Sequence, residues 1–438
     1  HFKLHARAMN DKRYDPPPGR DVIGAARPRV SMPRILGYVY CTSLPVLLGA
    51  AFAANFVAMC PLHASPRSTD FIAGFVAWDG RSYADIASEG YSYSPTRMSN
   101  VAFFPLFPAL GAAAAKLTGA ATPLALLMVS HAALVGAFAL LAVYAQARRP
   151  DAPPTATGYA LLAFGLFPTT FYFRMAYSEP LFLLLALAAM LGMQRRWPAI
   201  RVALLIGLAT AARPVGVALL APFTIYLLSP PAVAAAAPPA RSGLPLAVRV
   251  LAAAPLLLLA CWGLAAYMAY QWRAFGEPLA FAKTQAHWGH SIAHHSWSQM
   301  AWRLLTLAPL RAVYDRADPC YWRLHPPQQA WMFNLMFANP FYFVFAIASV
   351  ALGAARRWLN AREVALAAML LAIPYVTQSD RMCMASQARF AAVVFPMYLV
   401  LGRLLESIPP PLVGAICGVS GLMLGLYSAL FVSWYWCY

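Results

Sequence analysis

Charge is what this chain has least of. Asp, Glu, Lys and Arg make up 11% of its 438 residues, where a soluble domain carries about a quarter. Acid is scarcer still, with 15 carboxylates against 33 Lys and Arg. Its 7 cysteines include no CxxC pair and no metal-type spacing, which excludes a zinc ribbon or a dithiol redox centre. What is present instead is apolar length: 61% of residues are hydrophobic, and runs of about 18 or more recur along the whole chain. A soluble enzyme is excluded, and an all-α polytopic bundle embedded in a lipid bilayer is expected. The net charge of +18 does not mark a nucleic-acid binder. The basic residues cluster in short groups between apolar runs, as the positive-inside rule requires.

Because carboxylates are scarce, the segment 75–108, FVAWDGRSYADIASEGYSYSPTRMSNVAFFPLFP, stands out. It places Asp79, Asp85 and Glu89 within eleven residues. The pattern predicts a short interfacial helix capped by Asp79, with Tyr83, Ile86 and Ala87 on one apolar stripe and Gly90 ending it. Tyr91, Tyr93, Phe103, Phe104 and Phe107, broken by Pro105 and Pro108, suit rings at headgroup depth. The competing reading is a solvated loop with one capping Asp.

In chain order, residues 1–34 read as a disordered cytoplasmic tail and 35–438 as one transmembrane domain. The first span, 35–59, contains Ala51-Phe52-Ala53, which resembles a signal-peptidase site, but the apolar run continues past it and predicts an uncleaved anchor. Segment 101–117 is apolar enough to be a span, yet counting it as one puts Arg148, Arg149 and the later basic clusters on the wrong face. It is therefore expected to lie in the interface, within a first outer loop 60–121. Spans follow at 122–144, 155–173, 177–193, 200–212, 215–228, 246–270, 331–354, 364–378, 390–405 and 412–434, about eleven in all, with a long outer loop at 271–330. Nine of the fifteen carboxylates then lie outside: Asp70, Asp79, Asp85, Glu89, Glu179, Glu277, Asp315, Asp318 and Asp380. The site is expected on that outer face. Cys320 and Cys383 fall in outer loops as well, where an oxidising compartment permits a disulfide.

Arg213 follows a short span and precedes Pro214, so the helix breaks there and leaves a guanidinium at membrane depth. An unpaired charge costs ~2.5–3.5 kcal/mol in such a place by insertion scales, and a phosphate would compensate it. Arg389 is placed alike, and the planar Arg fork suits two phosphate oxygens. The alternative is that each Arg merely pairs with an outer carboxylate such as Glu179. In the long loop, His287, His290, His294 and His295 lack the carboxylate spacing of a helical metal face, and they read as interfacial hydrogen-bonding histidines. His131, in mid-span, reads as a satisfied core histidine.

Several of these stretches resemble one family in order. Trp78-Asp79-Gly80, Tyr83, Ile86-Ala87, Gly90-Tyr91 and the run from Ala102 to Pro108 look like the first outer loop of PIG-V-type mannosyltransferases and their bacterial relatives. Phe167-Pro168 with Tyr177-Ser178-Glu179, Thr210 with Arg213-Pro214, Phe275-Gly276-Glu277-Pro278-Leu279 with Gln285 and Trp288-Gly289, and Ser386 with Arg389-Phe390 keep the family's order across residues 35–407. Arg81-Ser82 and Met98-Ser99-Asn100 match no particular branch.

The resemblance implies a GT-C membrane glycosyltransferase that takes a sugar, mannose by the family's name, from a polyprenyl-phosphate donor by inverting single displacement. Asp79 is the position that carries over as the catalytic carboxylate, with Asp85 and Glu89 as further bases or contacts for a divalent metal, whose need stays open; no cofactor is fixed. Arg213 and Arg389, then Lys283 and His287, are the candidates for the donor phosphate. Trp78, Tyr83, Tyr177, Glu179, Gln285 and Trp288 are the candidate substrate contacts. The Ala-, Arg- and Pro-rich composition and short loops look bacterial, which implies an inner-membrane enzyme facing outward, with the acceptor (lipid, glycan or protein) undetermined. A transporter or lipid flippase is the main rival, though its site would lie near the midplane and its halves often repeat. A non-catalytic assembly subunit is the other, and it predicts that the outer carboxylates are dispensable.

Overall fold

The computed structural model describes residues 30–55, 71–229, 246–288, 296–324 and 334–435, and among these every regular element is helical. The expected tail at 1–34, part of the first outer loop and His290, His294 and His295 fall wholly or largely outside the described residues. Four helices are long and apolar enough to cross a membrane: Met32–Asn55, Thr122–Arg148, Ala338–Ala355 and Pro410–Val432. Two bent pairs raise the number to six, Pro168–Arg174 with Glu179–Gln194 at 98° and Val248–Leu259 with Trp262–Phe275 at 52°. The eleven expected spans go beyond what these helices establish, because several of the apolar runs are cut short.

The cuts have local causes. The expected span 155–173 is a helix only over Pro154–Leu166, since Pro168 removes a donor and turns the chain into the 3₁₀ segment Pro168–Arg174. Pro214 ends Ala199–Ala212 in the same way. The run 390–405 divides into Gln387–Ala392 and Phe395–Glu406, so Arg389 sits inside a short helix and not at the mouth of a span. The expected loop 271–330 begins late, since Trp262–Phe275 stays helical until Gly276 takes the left-handed conformation. It then carries short helices such as Ala280–Lys283, Trp297–Leu305 and Ala308–Ala312.

The first and last long helices pack against each other, and glycine permits it. A Cβ on Gly49 would lie 2.1 Å from the carbonyl oxygen of Gly425, so the two backbones touch directly, as in small-residue membrane interfaces. This pairing brings the residues after Val432 beside the start of the first loop, where Trp434 meets Trp78 with ring centroids 5.5 Å apart.

Leu106–Thr118, the helix expected in the interface, has 13 residues. At about 1.5 Å per residue it is roughly 20 Å long, short of a hydrocarbon core of about 30 Å. Met98 is 60% and Leu117 86% exposed at its two flanks. Cysteines placed at Met98 and at Thr118 should both react from outside with an impermeant thiol reagent. Reaction at Thr118→Cys only after permeabilisation would make this helix a span and invert the order of all that follow.

Cys320 and Cys383 form a disulfide, with Cα atoms 5.1 Å apart. It ties the long loop to the turn between Gln378 and Gln387, and the Arg303–Asp380 ion pair at 2.7 Å fastens the same two segments. Alkylation before and after reduction should differ by two thiols. Cys320→Ser is expected to lower stability by up to about 4 kcal/mol, the loop-entropy value for a closure of this length. An unchanged melting temperature would show that the ion pair alone holds the turn.

Candidate active site

The Asp79–Glu89 helix forms as its stripe requires, burying Gly80, Tyr83 and Ile86 and stopping at Gly90 with φ 90°. Its start differs from expectation. Trp78 is the N-cap residue, at φ 58°, and no side chain caps the helix; Asp79 is the first helical residue. Positive φ at so bulky a residue is strained, and the Asp79 carboxylate, not used as a cap, pairs with Arg389 instead. The Tyr83 ring stands edge-on to Phe103 and Phe107, with centroids 5.1 and 5.0 Å away. Its hydroxyl is 2.8 Å from Ser178 Oγ. Burial pushes the Tyr83 phenol up to about 12, so it stays protonated and neutral in that contact.

Ser178 and Glu179 arrive from the 98° bend. Ser130 Oγ donates to the carbonyl of Met175 at 2.7 Å, and the Ala176 N–H donates to Phe75 at 2.9 Å. These bonds satisfy backbone that the broken helix leaves free. Glu179 is fully buried, and one of its oxygens, Oε1, receives both Arg213 and Arg389. Arg389 Nη1 also reaches Asp79 Oδ2 at 2.5 Å. The Arg389 guanidinium lies 4.5 Å over the Tyr177 ring and 5.4 Å over that of Tyr172, a stacking suited to a desolvated cation. Arg213 Nη1 donates to Ser178 Oγ at 3.3 Å.

Two carboxylates and two guanidiniums thus form one electroneutral cluster. Glu179 supplies the counter-charge that Arg213 lacks when the sequence is read locally. Exposure rises through the cluster, from 0% at Glu179 through 6% at Arg389 and 9% at Arg213 to 22% at Asp79. Only Asp79 opens appreciably outward, and its Oδ1 makes no hydrogen bond among the described residues. Within the cluster two buried atoms, Glu179 Oε2 and Arg213 Nε, have no hydrogen-bond partner among the described residues, and an unmade buried hydrogen bond costs about 1–3 kcal/mol.

The remaining sequence candidates are scattered more loosely. Asp85 and Glu89 are exposed on the same helix and carry no ion pair among the described residues. Lys283 pairs with Glu277 at the surface, and this hydrogen bond holds the Glu277 carboxyl below its ordinary range. His287 Nε2 lies 3.0 Å from the Pro95 carbonyl. Gln285 is half-buried, and Trp288 has its backbone alone described. Thr284 Oγ1 accepts the Ser99 N–H at 3.1 Å, so this stretch is fastened to the first loop. Among the described residues no three of His, Cys, Asp and Glu gather into a metal-binding group.

Two features escaped the sequence reading. Arg81 stacks over Trp434 at 4.1 Å, which joins the Asp79 helix to the last helix. Arg174 is 1% exposed and has oxygens of Thr42, Gly165 and Thr170 as partners, with no carboxylate among the described residues. A signal was available, since Arg174 is the one basic residue between Arg149 and Arg195.

Among solved structures, that of the Archaeoglobus fulgidus oligosaccharyltransferase in the apo form is similar at TM-score 0.41 and 15% identity, over 92% of this chain and 56% of that one. Its complex with an inhibitory peptide and a dolichol-phosphate gives TM-score 0.40 and 15% identity over the same shares. The chain therefore spans little more than half of that enzyme's length. No curated protein matches it. A sequence model of one family matches residues 44–361, a stretch that contains Asp79, Glu179 and Arg213 and stops short of Arg389. By that match over most of its length, the chain belongs to the mannosyltransferase (PIG-V) family.

Proposed function

We propose that this protein transfers a sugar, mannose by its family, from a polyprenyl-phosphate-linked donor to an acceptor hydroxyl on the outer face of its membrane, with inversion at the anomeric carbon. The observation that carries the reading is the partly open Asp79 carboxylate, charge-paired on Oδ2 and with no hydrogen bond on Oδ1 among the described residues, beside two buried arginines.

The chemistry follows from those atoms. The acceptor oxygen attacks the anomeric carbon while the bond from that carbon to the phosphate oxygen breaks, and the lipid phosphate leaves with the electron pair. The acceptor proton passes to Asp79 Oδ1. Arg213 and Arg389 face the phosphate as its charge grows, and preorganised donors of this kind are the larger part of catalysis at a developing anion. The two events are linked through Arg389. Once protonated, Asp79 holds Arg389 less strongly, which frees Nη1 when the leaving group most needs a donor. Tyr83 and Tyr177 are buried behind the cluster and hold it in place, which leaves the half-buried Trp78 as the ring against which a prenyl chain or a sugar would lie.

The test is release of polyprenyl phosphate from labelled donor by purified protein. Donor that crosses the bilayer without cleavage would establish the transporter reading instead. Within the enzyme, Arg213→Ala is expected to raise the donor KM by about ten- to a hundredfold, the loss of one or two charge-assisted hydrogen bonds. A fall in kcat at unchanged KM would remove Arg213 from the phosphate site.

A further inference from the structure

A cationic pocket lies at the other end of the bundle. The helix Thr122–Arg148 starts beside the Asp79 helix, where Ser88 Oγ donates to Thr122 Oγ1 at 3.3 Å. Its 27 residues carry the chain roughly 40 Å away at about 1.5 Å per residue. At that far end Arg148, Arg149 and Arg403 line a pocket together with several alanines, Thr157, Trp358 and Leu399. The sequence reading used these arginines only as markers of membrane sidedness.

Their charges are not balanced locally. Arg148 spends Nε and Nη2 on Glu363, at 2.6 and 3.1 Å. Arg149 gives Nη1 to Glu406 at 2.8 Å. Arg403 has no carboxylate partner among the described residues and rests 5.4 Å over the Trp358 ring. Three cations against two anions leave one positive charge. Arg148 Nη1, Arg149 Nε and Nη2 and the whole Arg403 guanidinium make no hydrogen bond among the described residues. Three planar forks converge, with unspent donors, on a space that alanine side chains leave open. That arrangement fits an oxyanion bearing several acceptors, since guanidinium binds phosphate in paired hydrogen bonds.

We propose that this pocket binds a phosphate group, the headgroup of an anionic lipid in the leaflet opposite Asp79 or a soluble phosphate ester, at a site separate from the sugar-transfer cluster. Basic pockets between membrane helices take anionic lipid headgroups for the same electrostatic reason, each Lys or Arg near the surface adding about 1 kcal/mol.

The experiment uses the whole protein in nanodiscs of phosphatidylcholine, alone or with one-fifth phosphatidylglycerol, and separately in detergent with inorganic phosphate. Retained lipid is counted by native mass spectrometry and thermal stability is recorded. Wild type should retain phosphatidylglycerol over phosphatidylcholine, and Arg403→Gln should lower that preference about fivefold. Arg403→Lys should restore part of it. Arg403 has no ionic partner to strand, so the variants should fold, and wild-type retention tests the site without them. Stabilisation by phosphatidylglycerol alone identifies a lipid site, and stabilisation by inorganic phosphate alone identifies a soluble ester. Equal retention of both lipids by wild type, with no response to phosphate, overturns the proposal.

Discussion

Asp79→Asn should reduce sugar transfer by about 10²–10⁴-fold, the usual contribution of a positioned general base. Asparagine keeps the size of the side chain and can still accept from Arg389 Nη1, but it cannot take up the acceptor proton at neutral pH. Helix capping is not at stake, because no side-chain cap exists at this terminus. Arg389 keeps Glu179 as its buried counter-ion, so the melting temperature should move little and donor binding should survive. Single-turnover assays with a labelled donor, run beside a donor-binding assay, separate the two effects. Near-normal turnover would send the search for the base to Asp85 or Glu89. If all three are dispensable, sugar transfer is not the activity of this face, and the assembly-subunit reading takes its place.

Glu179→Gln is expected to act on stability first, lowering it by about 3–5 kcal/mol, the cost of leaving a buried ion pair without one partner. Glu179 is fully buried and shares one oxygen between Arg213 and Arg389, so loss of its charge leaves Arg213 with no carboxylate among the described residues and Arg389 with Asp79 alone. Asp79 cannot compensate for both, since it reaches Arg389 alone. The measurement is thermal unfolding of purified protein in detergent, with activity normalised to folded material. A Gln variant that melts like wild type would mean that water solvates the arginines or a bound anion neutralises them, and that the Glu179 charge does not hold the cluster together. The two carboxylates thus have opposite expected signatures: one is silent in stability and loud in rate, the other the reverse.

Much of this was legible from composition. Apolar run length located the four membrane-length helices, and the scarcity of carboxylates singled out Asp79 before any contact was known. The stripe of Tyr83 and Ile86 with its stop at Gly90 was legible too, because a helical period is local information. The pairings were not. Glu179 lies 34 residues from Arg213 and 210 from Arg389, and local sequence carries no record of which distant charge meets which. Read locally, Arg213 lacks a counter-ion, and only the folded structure brings Glu179 to it. The span boundaries were misread wherever proline or the demands of the site interrupted an apolar run, as at Pro168 and at Arg389. Hydropathy sums over a window and is blind to a break inside it. Trp78 took the capping position from Asp79 for a conformational reason, positive φ at a bulky residue, that no propensity anticipates.

The ion pair between Asp79 and Arg389 closes across 310 residues, and that separation has a meaning for the life of the chain. At about 5–20 residues per second, synthesis takes roughly 15–60 s to travel from one partner to the other. Through that interval Asp79 has been made while the cation that completes its cluster has not. The Cys320–Cys383 bridge, which fixes the turn leading to Arg389, also cannot form until late in translation. A nascent chain therefore carries Asp79 for that interval without the guanidinium that pairs with it. The charge cluster is complete only once Arg389 has been made, so a product truncated before that residue leaves Asp79 without its partner.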